Sequence, residues 1–326
     1  MIVPSYWAEA RTTARFQGRD ITLRRFGWSD SSPADAQTQA ELRVAEAAQR
    51  AAIGETVPRR ELKLTYNGAQ GLPIREEVLA RHGDAVITRN AYGARCLNVP
   101  DLLIADVDFN AEPDWWLRVS SRALAFVLAV PLIVRTHDWK SVIGGVLVLL
   151  FGAKLIFGPL QWLAEKVTAS AADGAHGRVA DFVKRNAGWR VRLYRTPAGL
   201  RLIATHARFV PGSEAVRAFF DATGTDPIYA RMCLTQHCFR ARLTAKPWRI
   251  GIADHLKPRP GVWPIRPERL PERQAWVRRY EREAEAYAAC RYVETLGNGP
   301  EDPELLALVA LHDDQSKALD DIRPIA

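Results

Sequence analysis

The stretch Asp101-Leu-Leu-Ile-Ala-Asp-Val-Asp-Phe109 decides the fold expected for this chain. Its apolar run predicts a buried β-strand, and two carboxylates, Asp106 and Asp108, stand at the C-terminal end of that strand. Residues two apart on a strand point to the same face, so we expect the two carboxylates to converge. Such a pair suits Mg²⁺ or Mn²⁺, and a divalent metal in turn suits phosphoryl transfer. The alternative is a chance pair of solvated acids at a strand end.

A second pair of strands is predicted over residues 192–206, where a Thr-Pro-Ala-Gly turn separates two apolar runs. We expect these strands to pair in one sheet with the strand that ends at Asp108. Backbone amides and cations at such a turn bind phosphate well. Arg201 and His206 are five residues apart, so only one of them can face the carboxylates unless a bulge intervenes. The candidate substrate-binding residues of this region are Arg195, Thr196, Arg201 and His206. The alternative is a well-formed turn that binds nothing.

Two nearly uncharged segments, Ala123–Val134 and Val142–Ala153, lie between these strands. A membrane-spanning helix needs about 20 mostly apolar residues, and tryptophans near the segment ends are typical of a membrane interface. The short connector 135–141 would make the two helices antiparallel neighbours. We therefore predict a transmembrane helical hairpin over 119–166, inserted into a loop of the domain and embedded in a lipid bilayer. The alternative is a buried helical hairpin.

The composition is typical of a folded protein, and the net charge favours binding to anionic partners. The chain has 326 residues, 48% of them hydrophobic and 25% charged, which excludes wholesale disorder. Its net charge of +8 suits phosphate-bearing partners or an anionic membrane surface; the alternative is a GC-rich genome, which favours arginine and alanine and gives the same excess. Four irregularly spaced cysteines indicate a reducing compartment. With the arginine-rich flanks of the hairpin, they favour a bacterial inner membrane with both termini in the cytoplasm.

Residues 233–249 carry a third group of chemically interesting side chains. Cys233, His237 and Cys238, with His206 as a fourth ligand, could form a zinc site, or the sulfurs could be buried apolar groups. Around them runs a basic series with interleaved aromatic rings: Phe239, Arg240, Arg242, Lys246, Trp248 and Arg249. This pattern is typical of a polyanion groove with a stacking platform, and a solvated strand surface is the alternative.

Further strands and helices complete a mixed fold. Local patterns predict strands at 20–27, 62–66, 85–90 and 249–254, and helices at 33–53, 74–81 and 213–223. Asp254 ends the last of these strands, where it would be a third metal ligand or a solvated cap residue. The predicted fold class is α+β: a single mixed domain with an inserted transmembrane hairpin and a helical C-terminal tail. The corresponding boundaries are 1–118 and 167–266 for the two parts of the domain, 119–166 for the hairpin and 267–326 for the tail.

The Asp-Val-Asp strand followed by Thr196-Pro-Ala-Gly-Leu-Arg201 resembles the first two motifs of archaeo-eukaryotic-type primases, especially the bacterial primase–polymerases. This resemblance implies a palm-like α+β core, two divalent metals and nucleotide polymerisation. It implies that Asp106 and Asp108, with Asp254 as a late third carboxylate, hold the metals and that Arg201 contacts a nucleotide phosphate. The family's histidine after the arginine is Leu202 here, and about thirty residues carry the likeness. The whole chain also resembles a type of proteobacterial membrane protein, which implies no activity.

Two functions follow from these patterns. The first is a membrane-anchored, metal-dependent phosphoryl- or nucleotidyl-transferase that uses the acids and arginines above together with Lys246 and Arg249, and whose partner is a nucleotide or nucleic acid. The second is a non-catalytic membrane protein whose basic cytoplasmic domain binds a polyanion or a protein. Whether the chain is an enzyme depends on whether its carboxylates and cations converge in one concave site. The substrate and the oligomeric state are not indicated by the sequence.

Overall fold

The computed structural model describes residues 3–61, 73–109, 114–136, 139–259 and 263–326. The β-strands within these ranges are β1 (Tyr6–Phe16), β2 (Arg19–Ser29), β3 (Glu77–His82), β4 (Ala85–Arg89), β5 (Arg95–Val99), β6 (Ile104–Asp108), β7 (Val191–Arg195), β8 (Gly199–Ala204), β9 (Phe239–Arg242) and β10 (Arg291–Leu296). The α-helices are α1 (Pro33–Ala52), α2 (Asp114–Thr136), α3 (Trp139–Leu147), α4 (Ala153–Arg185), α5 (Glu214–Thr223), α6 (Pro227–Gln236), α7 (Leu270–Ala284) and α8 (Pro303–Ser316). The strand predicted at 62–66 lies outside the described residues.

The central sheet has the order β10-β7-β8-β6, with every neighbour antiparallel. The strand that ends at Asp108 therefore pairs with the strand–turn–strand unit that follows the helical insertion, as predicted. The long separation in sequence does not prevent this pairing, because the apolar residues of β6, β7 and β8 share one core with α4, α5 and α8. The helices α2 to α4 are thus an insertion between two strands of one sheet, and the α+β class is confirmed.

A second antiparallel sheet, β3-β4-β5-β9, lies beside the first. The Tyr229 hydroxyl of α6 links the two sheets, because it donates to the Ile104 carbonyl of β6 at 2.9 Å and accepts from the Arg240 amide of β9 at 3.2 Å. The prediction of a helix at 74–81 is wrong, since most of that segment belongs to β3. Pairing with β4 decides its conformation, a partner that local sequence does not reveal.

The N-terminal elements form a smaller layer of their own. The hairpin of β1 and β2 packs under α1, and Leu23, Ala40 and Val44 are buried between them. The predictions of a strand at 20–27 and a helix at 33–53 are confirmed. Ser32 caps the helix by accepting a hydrogen bond from the Asp35 amide at 3.1 Å, and Pro33 follows at the first helical position.

The helical insertion is present, but the prediction that it spans a membrane is wrong. Over the residues that the structure describes, no helix is both long and apolar enough for a crossing. The second apolar segment is divided among the short α3, a π-helical turn at Val148–Gly152 and the start of α4, which continues as a polar helix into the core. The predicted membrane anchoring and inner-membrane location depended on this hairpin and are corrected with it. Apolar side chains on the insertion, such as Phe126 and Leu155, are nonetheless exposed.

The C-terminal segment is not only helical. Between α7 and α8 it contributes β10, which completes the central sheet by pairing with β7. Residues Ala288 and Ile325 form a further bridge that returns the chain end to this region. The segment predicted as a helical tail is therefore built into the same sheet that carries Asp106 and Asp108.

Candidate functional site

Asp106 is engaged by an arginine from the neighbouring strand. The register of β6 and β8 places Asp106 directly opposite Arg201, whose Nε and Nη2 donate to the two carboxylate oxygens at 2.9 and 3.3 Å. Arg201 is 2% exposed, and its Nη1 also donates to the Arg242 carbonyl at 2.9 Å. Burial alone would lower the pKa of Arg201, but the Asp106 carboxylate raises it. This pair is a fixed internal charge pair, with both Asp106 oxygens already occupied.

Asp108 is the exposed carboxylate at the C-terminal end of β6, two residues after Asp106. It is exposed, and within the described part of the chain it makes no contact ion pair. Partial withdrawal of its carboxylate from water raises its pKa, and the nearby carboxylates of Asp106 and Asp226 raise it further. Gly199 lies opposite Asp108, where a Cβ would stand 1.9 Å from the Val107 carbonyl oxygen, so only glycine lets the strands close here.

Three cations, Arg242, Lys246 and Arg249, gather beside Asp108. Among the described residues, none of the three makes a contact ion pair with an Asp or Glu side chain. The Arg242 Nη1 donates instead to the Thr244 carbonyl at 2.8 Å and to the Ala326 oxygen at 3.4 Å. Partial burial, followed by the charges of Arg242 and Arg249, lowers the pKa of Lys246 to about 8. Partial burial and the charge of Arg242 also lower the pKa of Arg249, whose buried Nη1 has no hydrogen-bond partner among the described residues. The cluster is therefore a cationic site in which no Asp or Glu side chain of the described ranges acts as a contact counterion.

An aromatic surface adjoins these cations. The Trp248 side chain is 57% exposed, and the Lys246 Nζ lies 5.5 Å from its ring centroid. Tyr92 meets the same ring edge-on, with centroids 5.2 Å apart. Lys246, Trp248 and Arg249 are held together by a 3₁₀ turn at Pro247–Ile250, in which the Arg249 amide donates to the Lys246 carbonyl at 2.9 Å. The strand predicted at 249–254 is wrong, because this proline-initiated turn and the left-handed Gly251 take its place.

Behind the site, Arg201 reaches a second buried polar group. Its Nη1 lies 3.3 Å from His312 Nε2, and His312 Nδ1 lies 2.9 Å from Asp313 Oδ1. The Cys290 sulfur is 3.9 Å from the same Nε2. The side chains of Cys290, His312 and Asp313 are all buried. Burial opposes a thiolate, but His312 and Arg201 lower the pKa of Cys290 below its ordinary value. This group supports Arg201 from the core side and has no opening to solvent at the sulfur.

The turn residues of the predicted phosphate site have different roles. The Thr196 hydroxyl accepts from the Ala198 and Gly199 amides at 3.3 and 3.0 Å, so it satisfies the amides that were expected to receive phosphate. Arg195 is exposed at the edge of the turn, where its guanidinium lies 6.0 Å from the Phe109 ring. Arg195 remains next to the site, whereas Thr196 is a turn-forming residue.

His206 and Asp254 lie away from the carboxylate pair. His206 follows the end of β8 opposite to Gly199, its Nδ1 accepts from the Arg190 amide at 3.2 Å, and burial lowers its pKa. Its ring packs on Trp189 with centroids 4.6 Å apart. Asp254 is exposed and ion-paired with Arg279 of α7, and this hydrogen bond lowers its pKa. Neither residue joins Asp106 and Asp108.

The predicted metal sites are not formed. Across the described ranges, no three His, Cys, Asp or Glu side chains are grouped so as to hold a metal ion. Asp106 is occupied by Arg201, Asp254 by Arg279, and Asp108 alone does not make a two-metal site of the kind that the primase resemblance implies. Cys233 and Cys238 are buried apolar groups, and burial raises the pKa of Cys238 to about 12. Among the described residues, these side chains are therefore not arranged as a site for Mg²⁺, Mn²⁺ or zinc.

Several residues of this region escape sequence reasoning. Asp226 precedes Pro227, a clear helix-start signal, but its proximity to Asp106 depends on a long-range bond from its amide to the Asp106 carbonyl at 2.9 Å. Tyr92, Cys290 and His312 carry no local signal, because each reaches the site across the packing of distant elements. The basic series of residues 240–249 is the signal that did point to the site.

Comparisons of the chain with protein-family models, with curated proteins and with solved structures give no significant match. The function must therefore be argued from the site itself.

Proposed function

We propose that this protein binds a nucleotide, with its phosphates on Arg242, Lys246 and Arg249 and its base against the Trp248 ring. The observation that carries the proposal is the unpaired, buried Nη1 of Arg249 within a group of three cations beside an exposed tryptophan. A buried donor without a partner costs free energy, and a bound phosphate oxygen would supply the missing acceptor.

Mutual repulsion among the three cations supports an anionic ligand. The depressed pKa values of Lys246 and Arg249 show that their charges are held close together and partly out of water. Asp106 does not relieve this repulsion by contact, because Arg201 occupies it. A phosphate placed among the three cations would raise the pKa of both groups and stabilise the folded protein.

The aromatic surface favours a nucleotide over a bare phosphate. Base–aromatic stacking contributes roughly 1–3 kcal/mol, and it needs an accessible ring near the phosphate-binding cations. Trp248 meets this requirement, because its ring is exposed and Tyr92 packs against it edge-on. The resemblance to primases also implies nucleotide binding. Because Arg201 is committed to Asp106, the proposed phosphate contacts come from the residues after β9 instead.

Calorimetric titration with ATP tests this proposal. Arg249→Gln removes one charge and one buried donor, so we expect roughly tenfold weaker binding or more, from a charged hydrogen bond of about 1.5–3 kcal/mol. Trp248→Ala should weaken binding by a similar factor, whereas Trp248→Phe should retain most of the affinity. Arg217→Gln is the matched control, since Arg217 is an exposed arginine on α5 that donates to the Gly212 carbonyl.

Two further ligands separate the parts of the proposal. Inorganic triphosphate should bind to the wild type more weakly than ATP does. Its affinity should be the same for Trp248→Ala as for the wild type, because triphosphate has no base to stack on the ring. A single-stranded oligonucleotide tests whether the same phosphate and base contacts are used on a strand. Absence of ATP binding, or equal losses in Arg249→Gln and Arg217→Gln, would refute the proposal.

A further inference from the structure

Lys246 differs chemically from the two arginines around it. Only 8 of the chain's 45 basic residues are lysines, and this one stands between Arg242 and Arg249. A guanidinium stays protonated and binds anions, whereas an amine can also act as a nucleophile once it loses its proton.

The surroundings of Lys246 leave its amine free. Its Nζ makes no hydrogen bond or contact ion pair with the described residues, and it lies over the exposed Trp248 ring at 5.5 Å. The charged groups that act on it are Arg242 and Arg249, which disfavour its protonated form, and Asp108 and Asp106, which favour it. Partial burial of the amine, together with these charges, lowers its pKa to about 8, so a sizeable fraction of the amine is neutral near physiological pH.

We propose that Lys246 is a nucleophilic amine that forms an imine with phosphate-bearing aldehydes or ketones, whose phosphate is held by Arg242 and Arg249. The inference rests on the phosphate-binding part of the proposed function and adds a covalent step to it. The two arginines would place the carbonyl carbon of a small ligand next to the only lysine of this cluster.

The reaction balances without any further reagent. The neutral amine attacks the carbonyl carbon and a C–N bond forms; the nitrogen then loses one of its two protons while the carbonyl oxygen takes one up, which gives a carbinolamine. The hydroxyl group then leaves as water with a proton from solvent, while the nitrogen loses its remaining proton. The products are an imine and one water molecule, and no oxidant or reductant takes part.

Pyridoxal 5′-phosphate is the probe for this test, followed by borohydride reduction of the imine and peptide mapping. Near pH 7.5 we expect Lys246 to be labelled at least about tenfold faster than exposed Lys257, because the pKa of Lys246 is lowered and Arg242 and Arg249 would hold the phosphate of the probe beside it. Pyridoxal, which lacks the phosphate, should lose the part of this preference that comes from Arg242 and Arg249 and keep only the part that comes from the lowered pKa of Lys246. Lys246→Arg should abolish the fast labelling, and Lys257→Arg should leave it unchanged.

The outcomes separate this inference from the proposed function. If ATP binds, as measured by calorimetry, but Lys246 is labelled no faster than Lys257, the nucleophilic role is overturned and nucleotide binding stands. If inorganic phosphate and ATP fail to slow the labelling of Lys246 and ATP does not bind, the phosphate site itself is overturned. Fast labelling that phosphate slows, and that Lys246→Arg removes, supports the inference.

Discussion

Replacing Arg201 by methionine should unfold this protein far more readily than replacing an exposed arginine. Arg201 is 2% exposed, makes two hydrogen bonds to Asp106 and donates a third to the Arg242 carbonyl. Removing one member of a buried ion pair costs about 3–5 kcal/mol because the other charge is left uncompensated. The Asp106 side chain is 24% exposed, so water can partly solvate its carboxylate, and we expect a loss near the lower end, about 3 kcal/mol.

Arg208→Met is the matched control. Arg208 pairs with Asp101 at 2.7 Å, but its side chain is 46% exposed, and exposed pairs contribute about 0–1 kcal/mol. Urea unfolding at neutral pH, followed by circular dichroism, measures both free energies of unfolding. A double-mutant cycle with Asp106→Asn should give a coupling energy of about 1–3 kcal/mol for the Arg201 pair. Equal losses in Arg201→Met and Arg208→Met, or no coupling to Asp106, would refute this account of the buried pair.

Three further predictions concern the neighbouring groups. Because the pKa of Lys246 is about 8, its amine loses its charge as pH rises, and ATP affinity should fall by roughly tenfold between about pH 7 and pH 9. Calorimetry on Lys246→Arg should show a smaller fall. Identical pH profiles of the two proteins would exclude Lys246 from the site. The raised pKa of Asp108 means that folding disfavours its ionised form. Asp108→Asn should therefore slightly stabilise the protein against urea above the pH at which Asp108 titrates. A destabilised variant would contradict this expectation. Thr196→Val should cost about 1–2 kcal/mol in the same assay, because two turn amides lose their acceptor, whereas Thr196→Ser should not.

Local patterns were sufficient for much of the fold. The strand β2, the capped helix α1 and the strands on either side of the Thr-Pro-Ala-Gly turn all have their signals within a few residues. The joining of β6 with β7 and β8 could also be predicted, since the apolar runs need a shared core. The segment 74–81 could not, because its strand conformation comes from pairing with β4. The prediction of a transmembrane hairpin was wrong for a related reason. Hydropathy alone does not show how an apolar run is divided among helices.

For the site, residue types were easier to predict than partners. The carboxylates Asp106 and Asp108 and the cations of residues 240–249 were identified from sequence, but the register that sets Arg201 opposite Asp106 is a property of the assembled sheet. A shift of one residue would have sent Arg201 to the other face and left Asp106 open to a metal. Register, not composition, therefore separates the predicted metal site from the observed ion pair.

The pairing of charges also explains why we propose anion binding, and not metal binding, for the group of cations beside Asp108. Arg201 neutralises Asp106 within the protein, and the Asp226 carboxylate is held by the Ile228 and Tyr229 amides at the start of α6. Among the described side chains near the three cations, Asp108 is then the carboxylate without a contact partner, and no contact ion pair joins it to them. An isolated cation group that is partly out of water is costly unless a counterion completes it. In the proposed function a phosphate would be that counterion, whereas a divalent cation would add to the repulsion among Arg242, Lys246 and Arg249.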